Sequence, residues 1–158
     1  MLKNNFYVAD TATLIGEVQV DKNANIWFNA VIRVDSGKMH IGENTNIQDN
    51  AVLHSTLKHP ISIGKNSSIG HNATLNGGKI GDNTLIGINA TILDNTVIGN
   101  NCIVGANTFL PKNSIIPDNS VVYGVPGRIV RKITQDESKE HLENIDYYLK
   151  IAKEFLSK

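Results

Sequence analysis

The chain has 158 residues, enough for one domain, and its 15 basic and 15 acidic residues cancel, which excludes the basic surface needed to bind nucleic acid or an anionic membrane. Hydrophobic residues make up 41% of the chain without a run of 18, which excludes a membrane-spanning helix, and the single cysteine excludes an intrachain disulfide. Because residues 1–10 lack the charged and apolar blocks of a signal peptide, we expect a cytoplasmic protein.

An aliphatic residue returns at every sixth position along most of the chain. The series consists of Val8, Leu14, Val20, Ile26, Ile32, then Ile41, Ile47, Leu53, then Ile63, Ile69, Leu75, and finally Ile80, Ile86, Ile92, Ile98, Val104, Leu110, Ile116 and Val122. It slips near Gly37, in the stretch 55–60 and at Gly77-Gly78, where we predict loops at corners of the coil. A period of six fits neither a helix nor a free-standing amphipathic strand. It is typical of a parallel β-helix, a solenoid of short strands, here over residues 8–128.

Each hexad repeats the same three residue types. The aliphatic residue is predicted to point inward, and a small residue four positions later, such as Cys102, is predicted to point inward at a corner. An asparagine precedes each small residue from Asn83 to Asn119. Asparagine tolerates the left-handed backbone conformation, so we expect it to form the turns between strands.

The last 25 residues follow a different pattern. Apolar residues from Leu142 to Leu156 have helical spacing, and Thr134 with Glu137 three positions later resembles a capping box. We therefore predict a β-helix domain over 1–133 and a C-terminal segment over 134–158 with one helix at about 136–157. The apolar stripe of this helix is expected to pack on the solenoid or on a neighbouring subunit.

Five segments of the chain resemble the gamma-class carbonic anhydrase family. They read VIRVD at 31–35, NIQD at 46–49, VLH at 52–54, IGHNATL at 69–75 and YGVPGR at 123–128. The resemblance covers nearly the whole chain, including the trailing helix. It implies an all-β solenoid, namely a left-handed β-helix with a C-terminal helix, that assembles as a homotrimer. It also implies a zinc or another divalent metal at each interface, held by three histidines, and hydration of CO2 to bicarbonate.

The metal ligands that this resemblance implies are His54 of one chain and His71 of its neighbour. The third ligand position holds Asn76, and a carboxamide is a much weaker zinc ligand than an imidazole. Three outcomes stay open. In the first, the two histidines and extra water hold a metal weakly. In the second, a third ligand is supplied by the oxygen of Asn76 or by a nearby side chain, His40 or His59. In the third, the site is empty. We favour a weakened or absent site over a competent one.

The resemblance assigns roles to four further residues. Gln48 is expected to hydrogen-bond the metal-bound water and Tyr123 to lie near the substrate pocket. Arg33 and Asp49 are expected to form an ion pair between subunits.

Three hexads per turn, the geometry of the resembled family, would set outward-facing residues in columns. One column would hold Arg33, His54 and Asn76, and another would hold Asp49 and His71. Apolar residues share this outer face: Trp27, Phe28, Ile88 and Leu93. Outward aromatic and aliphatic side chains favour burial against a second subunit.

Three functions are compatible with these features. The first is a gamma carbonic anhydrase-like enzyme, acting on CO2 or a related small molecule. The second is a non-catalytic homologue that keeps the trimer and has lost the metal. The third is a hexapeptide acyltransferase that uses acetyl-CoA, with His54 or His71 in catalysis.

Overall fold

A computed structural model describes residues 5–156 of the chain. Three sheets form the faces of a triangular solenoid of short strands. The first face contains β1 (Tyr7–Val8), β4 (Asn25–Ile26), β7 (Asn46–Ile47), β10 (Ser68–Ile69), β13 (Leu85–Ile86), β16 (Ile103–Val104), β19 (Ser120–Gly124) and β20 (Gly127–Lys132). The second contains β2 (Thr13–Ile15), β5 (Val31–Val34), β8 (Val52–Ser55), β11 (Thr74–Asn76), β14 (Thr91–Ile92) and β17 (Phe109–Leu110). The third contains β3 (Val18–Val20), β6 (Met39–Ile41), β9 (Ile61–Ile63), β12 (Gly78–Ile80), β15 (Val97–Ile98) and β18 (Ile115–Ile116).

Every third strand pairs in parallel with the strand one coil away, so three hexads make one turn. The predicted fold, a left-handed parallel β-helix with a C-terminal helix, is confirmed. The register also confirms the predicted inward columns: Ile32, Leu53, Leu75 and Ile92 stack on one face, and Ile26, Ile47, Ile69 and Ile86 on another. These side chains are fully buried, and so is Cys102. Dense apolar stacking along the axis is what stabilises a fold that has mainly neighbour-to-neighbour contacts.

The solenoid closes with a feature that the period of six did not predict. After the parallel strand β19, the chain reverses at residues 125–126 and returns as β20, which pairs with β19 in antiparallel register. The last strand of the first face is therefore a hairpin partner and not another coil.

One helix, α1 (Gln135–Leu156), follows the hairpin. The predicted capping box is present, since the Thr134 hydroxyl accepts from the Glu137 backbone N–H at 3.2 Å and the Glu137 carboxylate accepts from the Thr134 N–H at 2.9 Å. Residue 157 of the predicted helix lies outside the described residues. This helix is not long and apolar enough to cross a membrane.

The helix packs on the first face of its own solenoid, beside β1 and β4. It corrects one expectation about the outer face: Trp27, expected against a second subunit, is 97% buried beneath α1 of the same chain. Its ring contacts those of Tyr148 and Phe155 at 5.5 and 5.7 Å between centroids. Ile88 remains 47% exposed, so it is still available to a partner.

Candidate metal centre

The second face of the solenoid carries a column of polar side chains. His54 on β8 pairs in register with Arg33 on β5 and with Asn76 on β11, as expected from the spacing of the hexads. Each follows a buried aliphatic residue, and because side chains alternate along a strand, all three leave the same outer surface. They line a shallow groove that also includes the half-buried Val31 and the exposed Val52.

The Asn76 carboxamide is bound at both ends. Its Oδ1 lies 2.9 Å from Nδ1 of His54, and its Nδ2 donates to Oδ1 of Asp94 at 2.7 Å. The Asp94 carboxylate is buried and pairs with Lys112 at 2.9 Å, and the hydrogen bond from Lys112 is the main reason that the pKa of Asp94 is lowered. Because an ionised carboxylate only accepts hydrogen bonds, Asp94 fixes the orientation of the amide. The Asn76 oxygen therefore faces His54 and accepts a hydrogen bond from the N–H at Nδ1.

The other nitrogen of His54 faces a second acidic group. Nε2 lies 2.7 Å from Oδ2 of Asp35 and 3.1 Å from the Arg33 guanidinium, while Arg33 Nε holds Oδ1 of the same carboxylate at 3.0 Å. Hydrogen bonding to His54 is the main cause that lowers the pKa of Asp35. Nδ1 of His54 thus faces an oxygen acceptor, and Nε2 faces both a carboxylate and the guanidinium of Arg33, which can only donate.

His71 lies in the turn between β10 and β11, around the corner from His54. Its Nδ1 is 3.0 Å from Oδ2 of Asp49, and its Nε2 is 3.4 Å from the hydroxyl of Tyr148 on α1. Burial raises the pKa of Tyr148 to about 12, so the phenol stays protonated and can donate to Nε2. The backbone N–H of His71 donates to Oε1 of Gln48 at 3.2 Å.

A groove of about 420 Å³ between α1 and the first face brings together three of the predicted site residues, Gln48, His71 and Tyr123. Gln48 is buried, and its Nε2 donates to Oδ1 of Asn46 at 3.0 Å. Tyr123 is 47% exposed at the edge of the groove. The two predicted sets of residues, one around His54 and one around His71, therefore lie on different faces of one chain.

Within residues 5–156, no three His, Cys, Asp or Glu side chains of one chain form a group that could hold a metal. Because His54 and His71 lie on different faces, they do not form such a group together within the described part of one chain. Arg33 and Asp49, expected to pair between subunits, bind Asp35 and His71 within the chain.

His40 and His59, the possible substitutes for the third ligand, are engaged elsewhere. His40 Nε2 binds Asp21 on the third face at 2.7 Å, and His59 Nδ1 faces Asn95 at 3.4 Å. Sequence reasoning assigned no role to Asp35 or Asp94. Asp35 was visible inside the segment VIRVD, whereas nothing in the sequence marked Asp94.

The donor set fits a metal held by two imidazoles. Metal-binding histidines usually donate the N–H of the other ring nitrogen to a carboxylate or carbonyl oxygen, which orients the ring. His54 and His71 both have that arrangement at Nδ1, through Asn76 and Asp49. Nε2, which contacts Asp35 and Arg33 in His54 and Tyr148 in His71, is then the candidate ligand atom. A third imidazole is not available from Asn76.

Comparisons with known proteins agree with the repeat and the fold. A family model for the bacterial transferase hexapeptide (six repeats) matches residues 77–112, and one for the hexapeptide repeat of succinyl-transferase matches residues 60–78. A probable carbonic anhydrase of Methanocaldococcus jannaschii is 45% identical over 152 residues, 96% of each chain. An uncharacterized transferase of Bacillus subtilis, YtoA, is 46% identical over 149 residues, covering 90% of this chain and 87% of that one. The crystal structure of a hexapeptide transferase family protein from Anaplasma phagocytophilum superimposes with a TM-score of 0.85 at 29% identity, over 95% and 92% of the two chains.

Proposed function

Because the chain belongs to the gamma carbonic anhydrase-like family of hexapeptide-repeat proteins, we propose that it is a homotrimer with a metal site at each subunit interface and that it hydrates CO2 reversibly. The observation that carries the proposal is the similar hydrogen-bonding environment of His54 and His71. Each ring has Nδ1 facing an oxygen acceptor and lines a groove at the surface. Two such rings on different faces can meet only across an interface.

A bound divalent metal such as zinc would supply a water of lowered pKa, about 7 in carbonic anhydrase. The protein residues orient and enclose this site. Asn76 and Asp49 hold the two imidazoles, and Gln48 fixes the backbone of the His71 turn while its Oε1 keeps a lone pair for a water in the groove. Tyr123 borders the same groove and would contact the small substrate.

The trimer would bury the second face against the corner that carries His71. Exposed apolar side chains at Val52 and Ile88 support burial of these surfaces. Arg33 and Asp49 lie on the two surfaces that would meet, and their opposite charges favour one register of assembly.

Mixed trimers test the shared site. A His54→Ala chain and a His71→Ala chain are first purified as separate homotrimers, and both should lose metal and CO2 hydration. The two chains are then co-expressed with different affinity tags. Interfaces that combine the intact His54 of one chain with the intact His71 of the other should regain metal and activity.

A His40→Ala chain is the matched control, because His40 makes a histidine–aspartate contact on the third face. It should keep full metal content. Homotrimers of His54→Ala or His71→Ala with stoichiometric metal would show that the site is misplaced. Mixed trimers without recovery would show that the two histidines do not share a site.

An acyltransferase using acetyl-CoA is the alternative function, since two of the compared proteins are named transferases. Acetyl-CoA should neither bind to the metal-loaded trimer nor be consumed by it if CO2 hydration is the activity. A trimer that takes up no metal and acts on neither substrate is the non-catalytic homologue.

A further inference from the structure

The carboxamide of Asn76 occupies the side of His54 that a metal does not use. Asp94 holds the amide so that its oxygen accepts from Nδ1, at 2.9 Å. A metal on His54 must therefore bind at Nε2. The group that replaces the missing imidazole must then be sought on that side of the ring.

The carboxylate of Asp35 lies on the Nε2 side. Its Oδ2 is 2.7 Å from Nε2 of His54, and its side chain is 48% exposed. Metal–nitrogen and metal–oxygen bonds of roughly 2.0–2.2 Å place neighbouring ligand atoms roughly 3.3–3.6 Å apart in a tetrahedral site. The two atoms thus need to separate by roughly 0.6–0.9 Å to share one metal ion.

The second oxygen of the same carboxylate is already fixed. Arg33 Nε donates to Oδ1 at 3.0 Å, and its Nη2 makes a longer contact with Oδ2 at 3.4 Å. Oδ2 also faces Nε2 of His54, so it is the oxygen that would bind a metal once the Arg33 Nη2 moves aside. An outer hydrogen bond that orients a ligating carboxylate is the usual arrangement in metal sites. Binding of a metal through Oδ2 would keep the contact between Oδ1 and Arg33 Nε.

We propose that Asp35 is the third protein ligand of the interfacial metal, so that the site consists of His54 and Asp35 of one chain and His71 of the next. This inference rests on the proposed function. A divalent metal held by Nε2 and Oδ2 would bind without any redox change, and any proton on Nε2 would leave to solvent. Two histidines and one carboxylate form a ligand set found in zinc hydrolases, and it leaves an open position for water.

Asp35→Asn tests the ligand, because the amide keeps the shape and an acceptor for Arg33 but removes the charge. Zinc affinity, measured by competition with a chromophoric chelator, should fall more than 100-fold, since loss of an outer hydrogen bond alone costs about 10–100-fold. The visible spectrum of the cobalt-substituted trimer should also change, because it reports the ligand set directly. Light scattering on each variant checks that the trimer persists.

Asp21→Asn is the matched control, because Asp21 contacts His40 Nε2 at the same 2.7 Å on the third face. It should leave zinc affinity and the cobalt spectrum unchanged. Wild-type affinity and spectrum in Asp35→Asn would overturn the Asp35 ligand while leaving the proposed function intact. A wild-type trimer that takes up no metal would overturn both.

Discussion

Asparagine residues at the corners of the solenoid turn the chain from one strand to the next. Within residues 5–156, thirteen asparagines have positive φ angles between 50° and 63°. Side-chain amides of several of them bond along the axis, as in the series Asn23, Asn44, Asn66 and Asn83. Left-handed backbone is unfavourable for residues with a Cβ, and asparagine offsets the cost by local hydrogen bonding.

Asn107→Ala isolates the backbone contribution of one corner. Asn107 has a φ of 58° and an exposed side chain, and its N–H donates to Ile88 of the previous coil. The alanine variant should lose about 1 kcal/mol of unfolding free energy in urea at fixed protein concentration, because alanine resists the left-handed region. Asn107→Gly, which accepts this conformation, should change stability by less than about 0.5 kcal/mol. Equal losses in the two variants would contradict a conformational origin.

Contacts within a column were predictable from the sequence, and contacts between columns were not. His54 and Asn76 are 22 residues apart and lie in register, because a solenoid converts a fixed repeat into spatial neighbours. Asp94, which orients Asn76, stands at a turn of the next coil, and Asp35 reaches His54 from two residues beyond Arg33. Side-chain directions at corners and strand ends decide these contacts, and a repeat pattern does not specify them.

The C-terminal helix is the element that changes the outer face most. Its existence and its capping box followed from spacing, but an amphipathic stripe shows only that a helix needs a partner and not which one. In the structure, α1 covers Trp27, and Tyr148 reaches His71 from it. The helix α1 thus completes an aromatic cluster around Trp27, and it also forms one wall of the groove beside the proposed site.

His141 should make the docking of α1 pH-dependent. Its Nε2 bonds the carbonyl of Asn66 at 2.9 Å, and its Nδ1 is buried with no hydrogen-bond partner among the described residues. Burial lowers the pKa of His141 below its usual value near 6.5. As the pH falls, the unfolded chain therefore binds a proton at His141 before the folded chain does. The free energy of unfolding should be constant above about pH 6.5 and should decrease between that pH and the lower pKa of the folded state.

Urea unfolding at about pH 7.5 and about pH 5.5 measures this effect, with about 1.4 kcal/mol expected for each unit of pKa difference. His141→Gln, which can still donate to the Asn66 carbonyl, should reduce the loss of stability at the lower pH. His59→Gln changes a partly exposed histidine and serves as the control, with a pH dependence like that of the wild type. An unchanged pH dependence in His141→Gln would contradict a neutral, buried imidazole.

At the scale of the whole molecule, the proposed trimer requires opposite charges to meet across each interface. In one chain, Arg33 is bound to Asp35 and Asp49 to His71, so both pairs already sit beside the proposed ligands. An added contact between Arg33 and Asp49 of neighbouring chains would link assembly to the metal site. Subunits in the wrong register would lack this added contact and would bury the two charges without it, which is costly at an interface.

Arg33→Ala should weaken the trimer by about 2 kcal/mol or more per interface, because Asp49 of the neighbouring chain then loses its cationic partner across a buried surface and keeps only His71 of its own chain. Sedimentation equilibrium of the metal-free protein measures the assembly without contribution from metal binding. Arg131→Ala is the control, since Arg131 binds Glu137 beside the helix cap of its own chain and should leave assembly unchanged. Arg33→Glu combined with Asp49→Lys should recover part of the affinity that either reversal loses alone, because the pair of opposite charges is restored in exchanged positions. Equal trimer stability in Arg33→Ala and wild type, or additive losses in the reversed pair, would show that these residues do not meet across the interface.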